Sequence, residues 1–378
     1  MPTLQRAPNE KELEKLISIY LKAETDIINE IGRLRSQGLV DYHAVAALER
    51  VQAILRKMEN DAWEYVPKMV EKQFYVRVPE ARKMLETPEN ASALTGDQWS
   101  IVDALTQQLM GEITDATMTA MATVQSAILG RIEPDIYRRV GLEQVAAMQA
   151  TGRGVKAVVP GFVEQLRREG VTAFTDKAGR KWSLHTYCNM VTRTTSRQAE
   201  ISAVLSADPE HDLYKISSHG TTCALCAPYE GRVYSRSGTD PDFPPLSDAF
   251  GKVDPAGPNN LANTYLNIHP SCQHVLLAWT PAGRTPEEIQ KIKDLSNPKK
   301  NPYSVDPRRQ KQIDAYRKKE EARRRWLARY RQWERYRMTL GDKVPKTYQT
   351  FEKHKLAGDD KYKEWERLYR ETNQNEQR

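Results

Sequence analysis

His219-Gly-Thr-Thr-Cys223-Ala-Leu-Cys226 and, beyond a long loop, His269-Pro-Ser-Cys272-Gln-His274 form the stretch that decides the fold. Three of the chain's four cysteines lie in it. A Cys-x-x-Cys turn sets two thiolates on one side of an ion, and a second close pair completes a tetrahedral site. The candidate ligands are Cys223, Cys226, His269 and Cys272. His269-x-x-Cys272 repeats the gap of the first pair; His274 and His219 compete for the same position. Thioredoxin-like dithiols also use Cys-x-x-Cys, but no βαβ pattern follows here. The alternative is a set of half-buried thiols with histidines satisfied in loops.

Around this segment the pattern is short and strand-like. Asp212–Ser217, Arg232–Ser235 and Val275–Trp279 read as strands. Residues 235–267 are rich in Pro, Gly, Asn and Ser, show no periodicity, and read as an extended surface loop. A loop of that length buries no core of its own, so a structural zinc would supply folding free energy that apolar contacts cannot. Glu230 lies close in sequence, but four or more soft ligands favour a closed, structural site over a catalytic one. Upstream, Val171–Thr175 and Arg180–Ser183 read as a hairpin around Asp176–Gly179. Ser183 then caps a helix over 184–206 that carries Cys188, read as plain core beside His185.

The N-terminal half is helical by period. Leu13, Leu16, Ile17, Tyr20, Leu21, Ile27, Ile28, Ile31 and Leu34 recur at three- and four-residue steps over 10–35. Gly38 ends that unit, and Asp41 starts a helix to about Tyr65. Residues 68–86 read as helix interrupted at Pro79. Thr95-Gly-Asp97 opens another helix with a stripe through Ile101, Leu105, Leu109, Ile113, Ala116, Ala120, Val124 and Ile128. Thr151–Gly154 is a break. The expected division is a helical region over 1–150, an α+β module over 151–283, and a helical arm over 284–378.

In that arm Thr285-Pro-Glu-Glu288 caps a helix, Pro298, Pro302 and Pro307 break the chain, and 308–340 form a long charged helix. Pro345 precedes a last helix near 346–371, and the polar end is expected to be disordered. The whole chain carries a net charge of +7, and its basic character concentrates between residues 299 and 338, where 15 Lys+Arg face 5 Asp+Glu. In the charged helix Trp326, Tyr330, Trp333 and Arg337 share one face, with Arg323 and Arg329 among them. Arginine-rich helices interleaved with aromatics sit on phosphates and stack on bases. Such a stripe also docks on a neighbouring helix or another protein, and that is the preferred reading. The face Arg323, Trp326, Arg329, Tyr330, Trp333, Arg337 is therefore the expected nucleic-acid or partner side.

Apolar residues make up 39% and charged residues 28% of the 378 residues, which suits a modest core with long exposed helices. No apolar run is long enough to span a membrane, and the start of the chain has no signal core, so synthesis in the cytoplasm is expected. No phosphate-binding Gly-rich loop or Gly-x-Ser-x-Gly elbow occurs, and the acidic residues form no nuclease- or glycosidase-like constellation. The chain is read as a non-enzyme.

Taken in order, the helical half, Asp176–Leu184 with Tyr187 and Met190–Thr194, Ser218–Cys226, Tyr229-Glu-Gly-Arg-Val-Tyr234 and His269–His274 resemble the minor capsid protein 2 family of tailed phages. That family is related to the Mu F-like head morphogenesis proteins. The resemblance covers about residues 5–340. It implies a mainly α protein with a small zinc-clipped α+β module, long N-terminal helical hairpins and a C-terminal helical arm. It implies a structural head protein that associates with the portal and enters the head, with roles in assembly, DNA packaging or ejection. Cys223, Cys226, His269 and Cys272 carry over as structural zinc ligands. The partners implied are the portal protein, the major capsid or scaffolding protein and further copies of the chain, with packaged DNA along 308–340 and no membrane. The virion, at the head interior or portal vertex, is the expected location, with the host cytoplasm during assembly. Gln273 stands where many related modules have Arg. The rivals are a zinc-containing nuclease or toxin effector on a head module, and a free nucleic-acid-binding protein.

Overall fold

Leu13, Leu16, Tyr20, Ala23, Ile27 and Ile28 form the buried stripe of helix α1 (Glu10–Ser36), as their spacing requires. The structure, a computed structural model, describes residues 8–36, 41–85, 93–129, 173–175, 181–250, 252–253, 264–269, 272–340 and 343–377. The breaks expected at Gly38 and Thr151–Gly154 and the turn at Asp176–Gly179 lie outside these residues.

Helix α2 (Asp41–Met84) corrects the sequence expectation of two helical pieces: it runs unbroken through Pro67 and Pro79. Each proline leaves the carbonyl four residues earlier without a donor. Those carbonyls belong to Trp63 and Tyr75, which are exposed, so water can satisfy them. The opposite face holds the helix in place with buried Val66, Met69, Val70, Phe74 and Val78. Helix α3 (Gly96–Leu129) starts where Thr95 predicts. The Thr95 hydroxyl accepts from the Gln98 amide at 3.3 Å, and the Thr95 amide donates to Gln98 Oε1 at 3.0 Å.

Strands β1 (Ala173–Thr175) and β2 (Lys181–Ser183) pair antiparallel, with Phe174 opposite Trp182. Helix α4 (Leu184–Ala207) follows, and the Ser183 hydroxyl accepts from the Thr186 amide at 3.3 Å. Strand β3 (Leu213–Ile216) is the centre of a three-stranded antiparallel sheet. Its neighbours are β4 (Val233–Ser235) and, beyond the short β5 (Lys252–Val253) and β6 (Thr264–Tyr265), β7 (Leu276–Ala278). Tyr214 faces Tyr234 and Ala278 across the sheet.

The stretch expected as bare loop has more order than its composition suggests. Asp212 accepts from the Ser235 hydroxyl at 2.7 Å and the Ser237 amide at 2.6 Å, and Gly238 turns the chain at φ +71°. Phe243, Leu246 and Phe250 are buried, and β5 pairs with β6. Phe243 packs edge-on against Trp279 at 5.2 Å.

Helix α5 (Pro286–Ser296) carries the full Thr285–Glu288 capping box, and α6 (Gln310–Leu340) is the long charged helix. The single terminal helix expected near 346–371 is two: α7 (Tyr348–Ala357) and α8 (Asp360–Gln377). Gly358 sits at φ +60° and ends α7, while the Asp359 carboxylate accepts from the Tyr362 amide at 3.0 Å and starts α8. The polar end expected to be disordered continues α8 to Gln377, and no Gly or Pro interrupts it.

Two compact units divide the chain, and neither is continuous in sequence. One gathers residues 1–16, 62–112 and 189–321, the other 17–61, 113–188 and 322–378. The first contains the three-stranded sheet and is tied by polar contacts. Asn9 donates to Met69 O at 3.0 Å and to Ser196 Oγ at 2.9 Å, and Arg77 meets the buried Glu200 at 2.6 Å. In the second, Glu24 accepts from the His185 amide at 2.8 Å, and Arg50 pairs with Glu30 at 2.6 Å.

Candidate metal centre and the face of the basic helix

The sheet brings the two Cys/His turns together. Past β3, the Ser217 amide donates to Val275 O at 2.9 Å and the Val275 amide to Ser217 Oγ at 3.0 Å, so the segments on either side of Cys226 and Cys272 run side by side. The first turn closes with Ala227 N–H on Cys223 O at 3.1 Å and Tyr229 N–H on Cys226 O at 3.0 Å. Pro228 and Gly231 (φ +72°) then redirect the chain into β4. A Cβ on Gly231 would lie 3.2 Å from Ser218 Oγ, besides the strained φ. The second turn closes with Cys272 N–H on His269 O at 3.0 Å.

The side chains converge in two groups that share Cys226: Cys223, Cys226, His269, and Cys226, Cys272, His274. Cys226 Sγ is 3.7 Å from Cys272 Sγ, Cys223 Sγ is 3.2 Å from His269 Nε2, and Cys272 Sγ is 3.4 Å from His274 Nδ1. Zinc bonds of about 2.3 Å to sulfur and about 2.0 Å to nitrogen put neighbouring ligand atoms of a tetrahedron about 3.5–3.8 Å apart. The Cys226–Cys272 separation lies in that range and the two Cys–His ones just under it, and the soft donor set fits such an ion. Cys226, Cys272 and His274 are buried, and Cys223 and His269 half-buried. The four expected ligands are thus split between the two groups, Cys223 and His269 in one and Cys272 in the other with Cys226 common to both, and the competitor His274 joins the second.

His219 is set apart. Its Nε2 lies 3.1 Å from Gln273 O, and a carbonyl only accepts, so that nitrogen carries a proton and donates. Among the metal-competent groups of the described residues it has no part. Gln273 uses its side chain as well, accepting from Arg197 at 3.3 Å.

Electrostatics of the cluster favour a cation. Hydrogen bonding with Cys226 brings the Cys223 thiol down to about 3, with His269 adding to it. The same partner, then His274, brings Cys272 down to about 4. Cys226, between two sulfurs that take the charge, is pushed up. A metal placed among them reverses that last effect, because a coordinating thiol is deprotonated outright. Burial opposes charge on His274, but hydrogen bonds to Cys272 and Glu230 outweigh it and raise it to about 9. Burial likewise opposes charge on Glu230, yet donors from His274, Thr222 and the His219 amide hold it below its ordinary value.

One contributor carries no signal in the sequence. Arg308 donates to Thr222 O at 3.0 Å, next to Cys223, and its charge lies within reach of that thiolate. Asp306 holds the guanidinium in turn, at 2.7 Å. The contact spans 86 positions, and no spacing rule reaches that far.

The stripe of α6 has a different fate. Trp333 and Tyr330 are buried and Trp326 half-buried, all against Tyr348 of α7. Trp333 Nε1 donates to Pro345 O at 2.9 Å. Arg337 donates to Asn29 Oδ1 at 3.1 Å and Arg329 to Glu352 at 2.8 Å. Of the six residues expected to face nucleic acid or a partner, only Arg323 is exposed. The others are covered by the chain itself, because α7 and α8 present a matching aromatic stripe of Tyr348, Phe351, Tyr362 and Trp365. The exposed side of this part of α6 carries Arg323, Arg324, Arg325 and Arg331. His185 and Cys188 are buried, His185 with its ring 6.4 Å from that of Tyr330.

Long helices, a small antiparallel sheet and a buried Cys/His cluster able to hold a metal define a mainly helical protein with a metal-competent knuckle. The model of the phage minor capsid protein 2 family matches residues 8–335, and the chain belongs to that family. It is therefore a phage minor capsid protein, of a structural family associated with the virion. No curated protein and no solved structure matches the chain. No helix among the described residues is long and apolar enough to cross a membrane.

Proposed function

We propose that this protein is a non-enzymatic structural component of a tailed-phage head. It acts at the portal and head interior in assembly, DNA packaging or ejection. The match to the phage minor capsid family over 8–335 carries this reading. It works through surfaces. Exposed Trp63, Tyr75 and Met84 on α2 and Trp99 on α3 support a docking role for the helices toward the portal, a capsid or scaffolding protein, or other copies of the chain. Tyr75 and Trp99 lie edge to face, 6.2 Å apart.

In this reading zinc is held by Cys223, Cys226 and Cys272 with His269, or with His274 in its place. When bound, it supplies a fixed tetrahedral cross-link. The protein's own residues do the remainder. The β3–β7 pairing aligns the two turns, Arg308 offsets thiolate charge, and Glu230 Oε1 is taken by three donors from the protein itself. That occupancy supports a staple over a hydrolytic centre. Arg323, Arg324, Arg325 and Arg331 support contact between α6 and packaged DNA or an acidic inner head surface.

Mass spectrometry of purified procapsids and virions tests the proposal. The protein is expected in both, at low copy relative to the major capsid protein. Absence from both overturns it.

A further inference from the structure

We infer that Glu230 is the positioning residue of the metal centre: it fixes the His274 ring so that Nδ1 is the imidazole donor offered to zinc, beside Cys226 and Cys272 with which it converges. This rests on the zinc reading above and chooses between the two histidines which that reading leaves in competition.

Glu230 Oε1 takes three donors: the His219 amide at 2.6 Å, the Thr222 hydroxyl, and His274 Nε2 at 2.8 Å. An ionised carboxylate only accepts, so His274 carries a proton on Nε2. Nδ1 is then the nitrogen left to bind a metal, and it points at Cys272 Sγ from 3.4 Å. A histidine ligand that donates its far nitrogen to a carboxylate is the common device for fixing its tautomer and raising its basicity.

The ring has little freedom to leave this pose. His274 is 3% exposed, and the His219 ring stands edge-on to it at 4.6 Å. His219 is itself held by its Nε2 donation to Gln273 O. Spacing agrees. The Cys226–Cys272 and Cys272–His274 separations, 3.7 and 3.4 Å, lie close to the edges of a zinc tetrahedron, whereas Cys223–His269 is shorter, at 3.2 Å. His269 approaches with Nε2 and is half-exposed.

The arrangement also crosses the site. Glu230 and its two other donors belong to the first turn, while His274 belongs to the second. The first turn therefore contributes Cys226 and the aim of the second turn's imidazole.

The test uses the full chain, stripped with a chelator and titrated with Zn2+ alone against a chromophoric competitor. Glu230→Gln is expected to weaken zinc binding about 10–100-fold while keeping the ion count. His274→Gln is expected to weaken it more, and His269→Gln by less than either. A long-range 1H–15N spectrum of histidine-labelled, zinc-loaded wild type stands independent of any variant's folding. It should show His274 protonated at Nε2 and ligated at Nδ1. A larger loss with His269→Gln, unchanged affinity with Glu230→Gln, or an unligated His274 would overturn the inference and leave zinc binding intact. Wild type that binds no zinc would overturn both.

Discussion

Around Cys226 the buried side chains are sulfur and imidazole; around Trp333 they are rings. In the Cys/His module one apolar cluster joins Val233, Phe243 and Trp279, with Leu213 and Ile292 packed at its margin. The C-terminal cluster buries Tyr330, Trp333, Tyr336, Val344, Tyr348, Phe351, Tyr362 and Trp365 together. Both gather stretches of chain separated by turns. One does it with a few directional Cys and His side chains able to hold a metal, the other with several stacked and edge-to-face rings. Buried area is additive and tolerant of single losses. A coordination set is not, so the two regions should fail differently.

The largest break is expected at Cys226, the sulfur common to both metal-competent groups. Cys226→Ser should abolish zinc binding and unfold the module, since zinc binding and folding are coupled by on the order of 10 kcal/mol in small zinc modules. Metal analysis together with near-ultraviolet circular dichroism checks this. The signal of the C-terminal rings should persist. Next comes Trp333→Ala, which removes a side chain 1% exposed and its hydrogen bond to Pro345. A cost of about 3–5 kcal/mol is expected from denaturant melts, with zinc content unchanged.

Acid should separate the regions again. Burial holds His185, in the same unit as the rings, down at about 4 from 6.5. Its folded value is below its unfolded one, so the unfolded state binds the extra proton first. Stability is complete above 6.5 and falls as pH drops toward 4, by about 3 kcal/mol. Urea melts at pH 7 and pH 4 check it, and His185→Phe should flatten the difference. Smallest is Gly358→Ala, which forces a side chain into φ +60° at the α7–α8 junction and should cost about 1 kcal/mol in the same melts.

Local signals made much of this legible beforehand. The Thr95 and Thr285 caps, the Ser183 start and the three strands follow from residue types at fixed offsets. The two Cys/His turns do too, because metal spacing is short in sequence. What sequence could not convey was competition between partners. Pro79 reads as a break and the helix before it as ending near Tyr65, yet the carbonyls that Pro67 and Pro79 leave unbonded belong to exposed residues while Val66 to Val78 hold the inner face. The α6 stripe left open whether a neighbouring helix or another molecule covers it, because nothing in its own period shows that α7 and α8 carry the matching rings. Arg308 at Thr222 O and Glu230 under His274 depend on how far-apart turns meet.

Hydrogen exchange of the full chain, with and without a zinc chelator, tests the central claim most directly. The account predicts that chelation speeds exchange across 217–232 and 272–278 and leaves 330–369 protected. Exchange that is unchanged by the chelator, or that rises equally in both regions, would contradict it.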